Sequence, residues 1–163
     1  MPLLRRRPVP PAVKALDLPP GERRLAWALT EQGDPVVATD AVLLLPGRDP
    51  LPWAQVERAG WQRPRLTVLE VAEVEGTGVR SVLDLVDEAD LPEIIRTRVT
   101  ASVAWSTHSR LSPAGGVRVV GRRLPGEETL HWQLVYDRGT DLQDPLVRAQ
   151  AEELLHGARR TIG

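Results

Sequence analysis

The alternation of apolar and polar residues changes period several times along the chain, and these changes divide it into elements. Through Arg24–Glu31 the period is two, with Leu25, Trp27 and Leu29 on one face, which predicts a half-buried strand. Gln32-Gly33-Asp34-Pro35 carries turn chemistry. Val36–Thr39 and Ala41–Leu45 then predict two strands before Pro46–Pro50 breaks the chain. Leu51–Trp61 and Arg65–Glu73 lie either side of Gln62-Arg63-Pro64, and Ser81–Val86 is a further strand candidate. Short β runs joined by Gly/Pro turns predict an antiparallel meander, as a sandwich or a barrel.

A helical period follows. Leu91, Ile94, Ile95, Val99 and Val103 recur at helical spacing. Asp90-Leu91-Pro92-Glu93 in front of them has capping-box spacing, with proline in the first turn. This start signal accounts for the acidic run Asp84, Asp87, Glu88, Asp90 and Glu93 without a metal, since no Asp-x-Asp-x-Asp-Gly loop is present. Val99–His108 is rich in β-branched residues, which leaves open where helix gives way to strand. Beyond it, Gly116–Arg123 and Thr129–Asp137 predict strands, the second with Leu130, Trp132, Leu134 and Tyr136 on one face. Asp144-Pro145 supplies the N-cap and first residue of a last helix, whose stripe is Val147, Ala151, Leu154, Leu155 and Ala158.

Leu51–Trp61 does not fit a regular strand. Trp53 and Trp61 have equal parity, yet the face they share also carries Gln55 and Glu57. A bulge near Arg58-Ala59-Gly60 brings Trp53, Val56 and Trp61 to the core together. Composition supports this, because the chain has five Trp, one Tyr and no Phe, so indoles must fill the large apolar volumes. Trp53 is therefore expected in the core. Trp61 is kept as a candidate for a partner-binding face.

At 163 residues, 42% of them hydrophobic, the chain is expected to form one domain over residues 23–163. Met1–Glu22 holds six prolines and the run Arg5–Arg7, and is expected to be an extended or mobile arm. On that expectation, removing Met1–Leu16 leaves the melting temperature almost unchanged. There is no cysteine, so disulfides, thiolate metal sites and a Cys nucleophile are excluded, and a cytoplasmic location is expected. Net charge is −1 and is balanced along the chain, which argues against a nucleic-acid partner. No apolar run approaches the ~20 residues of a membrane span, and no apolar region follows Met1–Arg7 as a signal peptide requires.

Pro35-Val-Val-Ala-Thr-Asp-Ala-Val-Leu-Leu-Leu45 followed by Leu51-Pro-Trp-Ala-Gln-Val-Glu57 resembles the hairpins of bacterial pleckstrin-homology-like (PH-like) proteins of unassigned role. The likeness covers residues 24–73, and the remainder follows by element order. It implies an α+β fold, an antiparallel PH-like barrel or split barrel of about seven strands closed by a C-terminal amphipathic helix. The helix near residues 90–103 is an insertion relative to that pattern. The resemblance implies binding to proteins, peptides or headgroups, without catalysis or a cofactor. The loop that would grip a headgroup is here Gln32-Gly33-Asp34-Pro35, short and acidic, which argues against lipid.

The residues themselves offer little catalytic chemistry. His108, His131 and His156 are the only histidines and lack metal-ligand spacing. Ser106-Thr107-His108-Ser109 places hydroxyls beside a histidine, but strand neighbours point to opposite faces. Neither a G-x-S-x-G elbow nor a phosphate-binding glycine loop occurs. The best positive patch is Arg118, Arg122 and Arg123 with Arg110 nearby, where Arg118 and Arg122 share a strand face. Such a patch suits an acidic peptide; otherwise it is an ordinary polar surface. The expected function is thus a non-catalytic interaction or adaptor module for a protein or peptide partner. The alternative from another class is a small-molecule-binding or catalytic protein with a pocket between the barrel and the residue 90–103 helix.

Overall fold

A computed structural model describes residues 7–163. After a one-turn helix α1 (Pro11–Lys14) the chain forms β1 (Arg24–Thr30), β2 (Pro35–Thr39), β3 (Val42–Leu44) and β4 (Leu51–Pro52). A 3-10 turn at Trp53–Gln55 leads to β5 (Val56–Gln62), β6 (Arg65–Glu70) and β7 (Arg80–Val86). Helix α2 (Leu91–Ser102) runs directly into β8 (Val103–Arg110), followed by β9 (Gly116–Arg122), β10 (His131–Tyr136) and helix α3 (Pro145–Ile162). The strands make two antiparallel sheets. One has seven strands in the order β4-β3-β2-β1-β7-β6-β5, and the other has three in the order β10-β9-β8.

The α+β class and the antiparallel meander are as the sequence predicts, and the closed barrel is not. β4 and β5 end the seven-stranded order without pairing, so the large sheet is open. The residue 90–103 helix is no mere insertion, because α2 covers the inner face of that sheet. Leu91 and Ile95 are fully buried there among Ala26, Ala28, Val36 and Ala38. Alanines on β1 and β2 let the helix approach the sheet closely, which larger side chains would prevent. The helix α3, expected to close the barrel, instead packs on the small sheet through Val147 and Ala151.

β1 is also read differently in three dimensions. Its main core face is Ala26, Ala28 and Thr30, whereas Trp27 and Leu29 lie on the outer face. That outer face is apolar because it too is covered. The described part of the N-terminal segment, expected to be a loose arm, is docked across it. Val13 is 0% exposed against Val37, Val42 and Leu44, with Val9, Leu16 and Leu18 around it. Arg7 lies 3.5 Å over the Trp27 ring and donates to the Trp27 carbonyl at 2.8 Å and to Asp87 Oδ2 at 3.1 Å. The prolines fix an extended path, and the apolar residues between them supply the burial. Arg5 and Arg6 lie outside the described residues.

Local predictions divide by how they were made. The bulge falls between Val56 and Arg58, just before the expected Arg58-Ala59-Gly60, and Val56 is 0% exposed. Trp53 is 1% exposed with its Nε1 donating to the Thr39 carbonyl at 3.1 Å, but it sits in the 3-10 turn rather than on the strand. Asp144 Oδ1 accepts from the Leu146 amide at 2.9 Å, the cap expected for α3. Asp90 makes no side-chain cap bond, so the capping box at α2 does not form although Pro92 stands in its first turn. The helix is held by burial of Leu91 and Ile95 instead.

Val13→Ala removes about two buried methyl groups, a loss of ~1.6 kcal/mol plus a cavity term. We expect Tm to fall by about 4–8 °C in thermal unfolding. An unchanged Tm would mean that residues 7–18 are not docked.

Candidate functional site

The small sheet has two faces and two edges, and they differ sharply. On the α3 face, Trp105, Gly121 and Trp132 form one row across β8, β9 and β10. The two indoles meet edge-on, with centroids 5.7 Å apart and planes at 65°. Gly121 makes this possible, since a methyl group there would press on Trp132 and Leu130 carbons at 3.2 Å. Beside the row, between β8 and α3, runs a groove of about 620 Å³. Trp105, Leu154, Ala158 and Ile162 give it an apolar floor, with Thr107, Ser109, Gln150, Glu153 and Thr161 among its polar members. The groove ends at Arg110 and Leu111.

The opposite face carries charge. Arg118, Val120 and Arg122 project there from β9 with Ser106 from β8, and they line a cleft of about 250 Å³ closed by Glu57, Arg58 and Glu75 of the other sheet's loops and strands. Arg122 is only 5% exposed. Its Nε donates to Gln133 Oε1 at 3.1 Å and its Nη1 to Ser102 Oγ at 2.9 Å. Burial pushes its guanidinium below the ordinary arginine value, against the field of Glu57, which works the other way. At the far end, His108 Nε2 lies 2.8 Å from Asp137 Oδ2 over Gly116.

The arginines that the sequence groups together are therefore distributed among separate places. Arg110 sits at the end of the groove and Arg118 in the charged cleft. Arg122 shares Arg118's face, as strand parity requires, but is interior rather than part of an outer polar surface. Arg123 lines a third cavity of about 260 Å³ with Arg98, Ser102 and Glu127, beside the C-terminal end of α2. Trp61 is partly buried and packs on the main core. The histidines stay apart: His108 pairs with Asp137, His131 with Glu127, and His156 is exposed on α3.

The groove itself escaped sequence reasoning. Its signal was the polar, small-residue run Ala104–Ser109 next to the helix stripe ending at Ala158, but pairing the two needs the sheet order. Among the described residues no helix is long and apolar enough to cross a membrane. Compared with known proteins, the chain matches no family model, no curated protein and no solved structure.

Gly121→Val forces Trp105 and Trp132 apart and overpacks the row, at a cost of about 1–3 kcal/mol. Urea unfolding followed by tryptophan fluorescence should show a lower midpoint and an altered native emission. A native spectrum and midpoint identical to wild type would contradict the described packing.

Proposed function

We propose that the protein is an interaction module that takes an extended segment of a protein partner along the free edge of β8, in the groove beside α3. One observation carries this reading, the unguarded state of that edge. A sheet edge presents unpaired amides and carbonyls, and proteins normally blunt it with charge, proline, bulges or a covering segment. The other three edges are blunted. β4 is two residues long and includes Pro52; β5 has a bulge and the charged pair Glu57 and Arg58. β10 is covered where Tyr136 exchanges backbone hydrogen bonds with Glu73 and Glu75.

β8 has its own bulge, between Val103 and Trp105, but beyond it the strand is regular. No acid, lysine or proline lies between Val103 and Ser109, and Trp105–Arg110 pairs with β9 in unbroken register. Among the described residues, nothing but β9 is shown bonding to the backbone of Trp105–Arg110. An added strand would gain main-chain hydrogen bonds there, with alternate side chains directed onto Trp105, Leu154 and Ala158. The favoured segment is extended and uncharged at its centre, with an apolar residue at every second position.

The PH-like reading is supported by the order of the first part of the chain, in which seven strands are followed by α2 across the sheet's inner face. On that reading the PH-like unit spans residues 24–102, and the small sheet with α3 is an addition that carries the binding edge. A cytoplasmic setting suits a fold that holds together without disulfides.

Gly157 offers a clean test, since space beside it is open and it lines the groove. Gly157→Arg fills the groove, and replacing a helical glycine should not destabilise the fold. Peptides selected from a random display library on the wild-type protein are expected to bind the Gly157→Arg variant at least tenfold more weakly in fluorescence anisotropy. Selected peptides that bind both proteins equally would place the interaction elsewhere and end the groove reading.

A further inference from the structure

Behind the groove, on the reverse of the same sheet, the charged cleft has a feature that structure alone does not account for. Arg122 is a buried cation with no carboxylate in contact, although Glu57 lies near enough for its field to be felt. Its Nε and Nη1 are satisfied by neutral oxygens of Gln133 and Ser102. Among the described residues Nη2 has no hydrogen-bond partner and keeps contact with solvent, and no carboxylate lies within 4.0 Å of the guanidinium. Taking a cation out of water costs several kcal/mol unless it is paired. An apolar side chain of similar length would fill the position without that cost.

The cleft's walls say what would complete it. Its charged lining is Arg58, Arg118 and Arg122 against Glu57, Glu75 and Asp137, three of each sign. Asp137 is already engaged by His108, and Glu57 accepts only a long bond from the Gly76 amide at 3.4 Å. Arginine at the floor suits a carboxylate, whose two oxygens match its fork. The carboxylates of Glu57 and Glu75 suit an ammonium group. At about 250 Å³ the cleft is smaller than the roughly 300–1,000 Å³ of pockets for drug-sized ligands, so its occupant is small.

We propose that the cleft binds a small zwitterion of the amino-acid class, its carboxylate received by Arg122 and its ammonium by the Glu57 and Glu75 wall. This site is independent of the groove, since the two lie on opposite faces of the small sheet. Its contents are not a peptide strand, and its ligand needs no contact with β8's free edge.

The test uses the full chain, the twenty free amino acids, and acetate and methylamine as single-charge probes. Titration calorimetry is expected to find at least one amino acid binding one to one, at least tenfold tighter than acetate or methylamine, and raising Tm with the logarithm of its concentration above Kd. Arg122→Met should weaken that binding at least tenfold. Because Arg122 also ties β9 to the end of α2, a second variant guards against misfolding. Ser106→Phe, at an exposed strand position lining the cleft, fills the space while leaving Arg122 in place, and should abolish binding with Tm near wild type. The proposal is overturned if no amino acid binds, if acetate or methylamine binds as tightly, or if binding survives Ser106→Phe.

Discussion

The small sheet is tied to the rest of the protein at two places, the Tyr136 backbone bonds to Glu73 and Glu75 and a buried guanidinium at the end of α2. Arg122 reaches Ser102 at the last turn of α2 and Gln133 on β10, and Gln133 Nε2 in turn donates to the Ala54 carbonyl at 3.0 Å beside Trp53. The Arg123 amide adds a bond to the Ser102 carbonyl at 2.8 Å. α2 passes into β8 without a loop, so the small sheet's orientation follows from where Ser102 is held. This junction, together with the Tyr136 backbone bonds to Glu73 and Glu75, holds the small sheet in place. It sets which face of the small sheet meets α3, which face closes the charged cleft, and which edge is left outside.

The cost of that arrangement is informative. A desolvated cation held by neutral acceptors is a weak source of stability, and such a site persists where the specific geometry matters. Here it fixes a sheet whose remaining features are unusual for a self-contained unit. One edge is unguarded, and two tryptophans pack edge-on across a glycine instead of filling a closed core. In the large sheet the opposite holds: α2 covers the inner face, and residues 7–18 and the Arg7–Trp27 stack cover much of the outer one. Stability is concentrated in the first part of the chain and accessible surface in the second.

Much of the fold was legible because it is written in local patterns. Period-two runs located most strands, Asp144-Pro145 marked the start of α3, and the mixed face shared by Trp53 and Trp61 pointed to a bulge close to the one found. What was not legible depends on burial by distant segments. Trp27 and Leu29 looked like core because apolar parity does not tell which face receives the helix. The proline-rich start looked loose because proline counts reveal backbone stiffness and not what Val13 packs against. The arginines were read as one patch because strand parity is blind to whether a face is covered, and Glu57 and Glu75 cover it over Arg122. The β8 edge could not be recognised at all before the strand order was known, since an edge is defined by the absence of a neighbour.

The claim at the centre of this account is that β8 is folded yet open on one side. Residue-resolved amide hydrogen exchange of the dilute, free protein measures this directly. Within Trp105–Arg110, amides directed at β9 should be protected, and the alternate amides directed outward should exchange much faster, while β9 between its two neighbours is protected throughout. Uniform protection along both sides of β8 would contradict the account, because it would mean that the edge is already covered.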